Sequence, residues 1–295
     1  METKKKLFLV DAYALIFRGY YAFIKNPRIN SKGVDTSAIM GFTNSLFDVI
    51  KREKPDYIAV CFDKGGSHDR TKIFKEYKAN RDETPEAIKI AVPYIEKILK
   101  SLNIAIVVKE GYEADDIIGT IAKKVKQKNL KTYMVTPDKD FAQLVEKDIY
   151  MYRPVFGGGY ETWGIDEVLK KFEINKTSQV IDFLAMKGDS VDNIPGLPGV
   201  GDKTAKKFIS EFGSLEGLFE NTDQLKGKIK EKVEQNKELG ILSKKLATII
   251  TNVPVSFKIE DFKLNVGELE ETKNLFDDLE FRRLSNSLNS IFSNF

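Results

Sequence analysis

A chain of 295 residues, 42% apolar and 31% charged with a net charge of +3, has the balance of a soluble globular protein and room for one large or two modest domains. A single cysteine (Cys61) and a single histidine (His68) argue against an intramolecular disulfide, a zinc centre, a His general base and a Ser-His-Asp triad. Any metal must therefore be held by oxygen, which means magnesium, manganese or calcium.

The chain opens on a Lys-rich stretch and an apolar run, Leu7 to Val10, that stops at Asp11. That run is too short for a signal peptide, and no run reaches a membrane span, so a cytoplasmic protein without a membrane partner is expected. Residues 6–10 read as a buried strand ending at Asp11, followed by a helix carrying Leu15, Ile16 and the aromatics Phe17, Tyr20, Tyr21 and Phe23. Ile39, Phe42, Leu46 and Ile50 recur at helical spacing, and that helix should stop ahead of Pro55. Tyr57 to Phe62 is a second strand, ending at Asp63, which gives the strand–helix–strand order of a parallel crossover.

Residues 64–83 are basic, carry Phe74 and Tyr77, and lack a wide apolar face; His68 falls here as a solvated loop residue. Thr84-Pro85 then opens a helix with Ile88, Val92, Ile95, Leu99 and Leu102 as its stripe, kinked at Pro93. Strands are expected at 104–108, 131–136 and 149–153, with a helix to about Gln127 after the first and a short helix at 141–145 after the second. Gly157-Gly158-Gly159 reads as a hairpin turn. From about 165 only helices are expected, at 165–173, 177–187, 202–212, 214–220, 227–251 and 268–288. The fold class is α/β, a mostly parallel sheet with flanking helices plus a helical C-terminal domain, divided near 165–176.

The acids carry the chemistry. Glu113, Asp115 and Asp116 open a helix, where acids also suit the macrodipole. Four other places repeat the arrangement: Asp11, Asp63 and the pair Asp138 and Asp140 follow strand ends, and Asp189 and Asp192 precede a Pro/Gly turn. In open α/β sheets the C-terminal strand edge is where ligands bind, so the nine can share one crevice. Two carboxylates ~5 Å apart repel by about 3 kcal/mol at an effective dielectric near 20. Two magnesium ions would relieve that repulsion and perform phosphodiester hydrolysis, with some carboxylates acting through bound water.

Leu197 to Phe208 contains Gly199-Val-Gly201-Asp-Lys203 with Lys206 and Lys207 beyond. It is a near miss to a P-loop, with Asp202 intruding before the lysine and no strand ahead. Read instead as two short helices joined by a Gly-x-Gly hairpin, it offers backbone N–H groups and lysines to a DNA phosphate. In the basic segment, Lys78 and Arg81 are spaced to press on one phosphate if helical, and Tyr77 or Phe74 to stack on a base.

The ordered set Leu-Val-Asp11-Ala-Tyr, Cys-Phe-Asp63, Glu-Tyr77-Lys78-Ala-Asn-Arg81, Gly-Tyr-Glu113-Ala-Asp115-Asp116, Thr-Pro-Asp138-Lys-Asp140, Lys-Gly-Asp189-Ser-Val-Asp192 and Gly-Val-Gly-Asp-Lys-Thr-Ala resembles the 5′–3′ exonuclease domain of bacterial DNA polymerase I, in the flap endonuclease family. The resemblance implies a PIN/flap-endonuclease-like nuclease domain over 1–170 with a helical arch near 70–95. It also implies a DNA-binding domain over 171–295 with a helix-hairpin-helix near 190–212. It implies Mg2+-dependent cleavage of 5′ flaps and 5′ ends, with Mn2+ able to substitute, in primer removal, replication and repair by a monomer. By resemblance, Glu113, Asp115, Asp138 and Asp140 hold the inner ion and Asp189 and Asp192 lie toward the other. Asp11, Asp63 and Asp116 fill or support the set. Lys78 and Arg81 grip the scissile phosphate, Phe17 stacks a base, and Gly199, Gly201, Lys203, Lys206 and Lys207 hold duplex DNA, in some relatives with K+. The chain ends at Phe295 without a polymerase site, so it either stands alone or belongs to a longer polymerase. Rival readings are a nucleic-acid-binding module with a silent site and a PIN-type ribonuclease.

Overall fold

In the computed structural model, which describes residues 4–155 and 157–293, six strands form one sheet. They are β1 (Lys5–Asp11), β2 (Tyr57–Phe62), β3 (Ala105–Val108), β4 (Leu130–Val135), β5 (Ile149–Pro154) and β6 (Tyr160–Trp163), in the order β3-β2-β1-β4-β5-β6. Every pairing is parallel except β5 with β6, a hairpin across the three-glycine turn. The chain steps outward from β1 to β2 and β3, then returns to the other side of β1 for β4. Strand order therefore reverses between β1 and β4, and the carboxyl ends of those strands bound a crevice.

Alternation along β1 feeds two cores. Phe8 and Val10 face α1 (Ala12–Phe23), α2 (Ser37–Glu53) and α4 (Glu86–Ser101), whereas Leu7 and Leu9 face α5 (Ala114–Val125). The first of these helix pairs touches backbone to backbone. A Cβ built on Gly19 would lie 2.9 Å from Gly41 Cα, so only glycine allows α1 and α2 to cross this closely. Gly19→Ala should cost about 1–3 kcal/mol through that overpacking. The check is a lowered urea midpoint with an unchanged slope.

Between β2 and α4 lies one short helix, α3 (His68–Ile73), and residues 74–85 form turns without helix. A continuous arch helix over the basic segment is thus not formed; the helical part of 70–95 is α3 and the start of α4. The stretch is tied down instead. Lys78 N–H donates to Asp192 O at 3.0 Å, Asn80 Nδ2 to Ser190 O at 2.7 Å, and Asn193 Nδ2 to Glu76 O at 2.7 Å. The short helix expected after β4 is a 3-10 turn over Lys139–Leu144, capped by Asp138, which accepts from Asp140 N–H at 2.9 Å.

Beyond the sheet come α6 (Ile165–Phe172), α7 (Gln179–Lys187), α8 (Asp202–Phe212), α9 (Leu215–Glu220), α10 (Gly227–Gln235), α11 (Lys237–Ala247), α12 (Glu270–Asp278) and α13 (Arg282–Phe292). The helix expected over 227–251 is broken at Asn236 into α10 and α11. The one expected over 268–288 is broken at Glu280, whose φ of 63° lets Phe281 N–H reach Phe276 O at 2.7 Å. Its two halves, α12 and α13, return to the N-terminal core, where Phe276 and Phe292 pack on Phe47 of α2. Among the described residues no helix is long and apolar enough to cross a membrane.

Candidate metal centre

Asp11, Asp63, Glu113 and Asp138 each double as a cap, which explains their place and orientation. Asp11 ends β1 and caps α1, accepting from Ala14 N–H at 3.1 Å and from Thr136 Oγ1 at 3.1 Å. Asp63 follows β2 and accepts from Ala114 N–H at 2.6 Å, the opening residue of α5. Glu113 is the N-cap of α5 and forms a capping box with Asp116. Asp138 caps the turn after β4. Orphan N–H groups at helix starts thus recruit anions from several segments to one place.

The result is a cavity of about 300 Å³ lined by Asp11, Asp63, Glu113, Asp115 and Asp138 together with Phe17, Lys78 and Arg81. Oxygens of Glu113, Asp115 and Asp116 lie within 4.8 Å of one another. Asp140 Oδ1 is buried without any hydrogen-bond partner. Asp189 is joined to Lys139 at 3.0 Å, and Asp192 holds Lys78 at 3.4 Å and is paired with Arg81.

Crowding shows in the proton affinities. Burial, then the charges of Asp63 and Asp138, push the Asp11 carboxyl up to about 7 against the pull of its Ala14 and Thr136 bonds. Burial and the neighbours Asp116 and Glu113 raise Asp115 well above the ordinary range, and burial with Asp138 and Asp189 does the same to Asp140. Asp189 moves the other way, because Lys139 and the Val191 N–H outweigh its burial.

A raised carboxyl keeps its proton in the folded state over a range where the unfolded chain has already lost it. Stability therefore falls as pH rises through that range. In EDTA the melting temperature should drop between about pH 4 and about pH 7, the interval from the ordinary Asp value of 3.8 to the Asp11 value. Millimolar Mg2+ should remove most of that drop, and an EDTA profile that rises over the same interval would contradict the electrostatic picture.

Several expected residues sit differently. Asp116 is fully buried, and its oxygens are committed to Arg70 at 2.8 Å on both sides and to Ile250 N–H at 2.8 Å. It braces the cluster, and one of its oxygens lies within 4.8 Å of oxygens of Glu113 and Asp115. Tyr77 is buried, not an exposed stacking ring, and its hydroxyl donates to Glu113 Oε2 at 3.0 Å. His68 is exposed, as expected, but opens α3 instead of lying in a loop. Lys78 adopts φ 57° and pairs with Glu113, which swings its ammonium into the site. Phe17 lines the cavity from α1, its ring centroid 6.3 Å from Tyr13 and 6.2 Å from Tyr21.

Gly199 (φ 85°) and Gly201 make the turn into α8, and Lys203 and Lys207 are exposed on that helix. Lys206 is instead occupied by Glu173 at 3.0 Å and Asp202 at 3.2 Å. None of these five residues lines the acidic cavity. Sequence reasoning placed Arg70 only within a basic run and passed over Gln143 and Lys139. Lys139 had one signal, its position between two acids.

A family model described as the 5′–3′ exonuclease N-terminal resolvase-like domain matches residues 6–173, and one described as the 5′–3′ exonuclease C-terminal SAM fold matches 175–270. The 5′–3′ exonuclease of Aquifex aeolicus is 34% identical over 288 residues, covering 98% of this chain and 96% of that protein. DNA polymerase I of Caldicellulosiruptor bescii is 36% identical over 95% of this chain, and that of Bacillus subtilis 37% over 96%. This chain spans only 33% and 32% of those two polymerases. Among solved structures, T5 5′-exonuclease with bound zinc matches at a TM-score of 0.68 and 23% identity, over 84% of this chain and 90% of that one. The catalytic core of Rad2 in complex with DNA matches at 0.65 and 18% identity, over 98% and 92%. Those two structural likenesses establish the fold.

Proposed function

This chain belongs to the 5′–3′ exonuclease family, and from that premise we propose that it is a structure-specific 5′ nuclease hydrolysing DNA phosphodiesters at 5′ ends, nicks and flap junctions. The observation that carries the reading is the convergence of Asp11, Asp63, Glu113, Asp115 and Asp138, from separate segments, on one cavity; Asp140 Oδ1, two residues beyond Asp138, is buried without a hydrogen-bond partner. The donors are all oxygen, as hard divalent ions require, and their mutual repulsion calls for a counter-charge. Asp11, Asp63, Glu113, Asp115, Asp138, Asp140, Asp189 and Asp192 would hold two Mg2+ ions directly or through water, with Mn2+ able to replace them. Such ions supply an activated water and a counter-charge for the leaving oxygen.

The chain's own groups do the rest. Lys78 stays cationic, because Glu113 and Asp192 outweigh the burial that would lower its affinity for the proton. It can thus meet the charge that develops on the scissile phosphate, with Arg81 beside it. Tyr77 steadies Glu113. Phe17 offers a ring to an unpaired base at the cavity edge. The Gly199–Gly201 turn, with Lys203, Lys206 and Lys207, would act as a helix-hairpin-helix clamp on duplex phosphates, with K+ there. In this reading 1–170 is the nuclease unit and 171–295 the DNA-binding unit. The protein works as a cytoplasmic, nucleoid-associated monomer in primer removal and repair, alone or joined to a DNA polymerase.

The test is incubation with labelled 5′-flap, nicked and single-stranded DNA in magnesium or in EDTA. Cleavage near the flap junction that needs the metal supports the proposal. No cleavage, or equal cleavage of all substrates, rejects it and returns the silent binding module to the front.

A further inference from the structure

The last turn of α11 and the residues leaving it, 246–250, run behind the acids. Final carbonyls of a helix have no partner within it, and here two side chains from the nuclease unit supply them. Arg70 donates from Nε to Leu246 O at 3.0 Å and from Nη2 to Thr248 O at 2.9 Å. Gln143 donates from Nε2 to Ala247 O at 3.0 Å and accepts from Ile249 N–H at 2.9 Å.

The same two side chains reach forward. Arg70 bonds Glu113 Oε2 at 2.7 Å and both oxygens of Asp116 at 2.8 Å. Gln143 Nε2 also bonds the main-chain oxygen of Asp140 at 2.9 Å. Arg70 is 3% and Gln143 9% exposed, so water does not compete for these bonds.

We propose that Arg70 and Gln143 are positioning residues that use the backbone of 246–250 as one common brace, setting the Glu113 half of the acid cluster against the Asp140 half. The two halves stand on different elements, the start of α5 and the turn after β4, and their charges repel. Something must fix their separation, since a pair of ions tolerates little error in it. A guanidinium fork spans two carboxylates and two carbonyls at once, which an ammonium cannot. An amide both donates and accepts, which neither a carboxylate nor an apolar chain of equal length can. The inference rests on the acids being ion ligands, as proposed above. It adds that the helical unit completes the metal centre as well as contacting DNA.

The test uses the full chain without DNA and follows Mn2+ binding by the loss of the free-ion EPR signal. Arg70→Lys and Gln143→Met should each weaken Mn2+ binding by about 10–100-fold, the scale for groups that orient metal ligands. Circular dichroism should be unchanged, as should flap affinity in EDTA. Because the two share one brace, the double variant should weaken binding by less than the product of the single effects. Wild-type Mn2+ affinity in a folded Gln143→Met variant overturns the proposal, and so do single effects that simply multiply. Should Arg70→Lys fail to fold, Gln143→Met, which alters no charge, decides alone. If the wild-type chain takes up no Mn2+, the metal reading itself falls and this inference with it.

Discussion

Asp138→Asn should lower the single-turnover rate on a 5′-flap substrate by about 10²–10³-fold or more, the scale on which one group supporting transition-state charge counts. Flap binding should be as tight as wild type or tighter. Both halves of that expectation follow from the site. Asp138 follows β4 at the strand-order reversal and lines the same cavity as Glu113 and Asp115. Asparagine keeps the side-chain oxygen that caps the 139–144 turn, so the backbone there survives. What disappears is one negative charge, which weakens the hold on a divalent ion and at the same time reduces repulsion of the DNA phosphate. Asp115→Asn should behave alike, its carboxylate lying at the start of α5 beside Glu113 and Asp116. Rate and dissociation constant measured separately decide the matter: near-normal turnover in magnesium removes the residue from the metal set, and lost affinity in EDTA shows that the substitution damaged the fold.

How far the site was legible in the sequence follows from what local chemistry encodes. A short run of buried β-formers with an Asp at or just past its end can be read directly, and Asp11, Asp63 and Asp138 are legible that way; in Asp11 strand end, cap and acid coincide in one residue. Glu113 was legible for the same reason, as an acid ahead of an apolar helical stripe. Arg70 was not. It sits among Lys72, Lys75 and Lys78 in a stretch with the composition of a solvated surface, and only tertiary contact with α11 and α5 buries it. Tyr77 was misread for a related cause: aromatic rings among lysines look like a stacking platform until a carboxylate from another element claims the hydroxyl. The breaks at Asn236 and Glu280 interrupt helical patterns without proline or glycine, so nothing local announced them. The return of α12 and α13 to α2 is a long-range choice that periodicity does not report.

The second large effect separates chemistry from grip, and it compares two lysines that composition cannot tell apart. Lys78 is half-buried and held against Glu113 and Asp192 at the cavity, in a left-handed backbone conformation that aims it there. Lys203 is exposed in the first turn of α8 and lies outside the cavity. Lys78→Ala should therefore cut the single-turnover rate at saturating DNA by about 10²-fold or more, since the lost charge acts where the transition state gains it. Lys203→Ala should leave that saturated rate nearly alone and weaken binding instead. Its plot of log K against log salt should flatten by about 0.9, one phosphate's share of released counterions. One complication is built into the site. Removing Lys78 also unmasks Glu113, so part of the rate loss could come from a displaced ion and not from the missing ammonium. Raising magnesium distinguishes the two, because an ion-affinity defect is rescued by more metal and a missing transition-state charge is not. If both variants lose only affinity, Lys78 belongs to a basic surface, and the turns at 74–85 dock DNA without entering the chemistry.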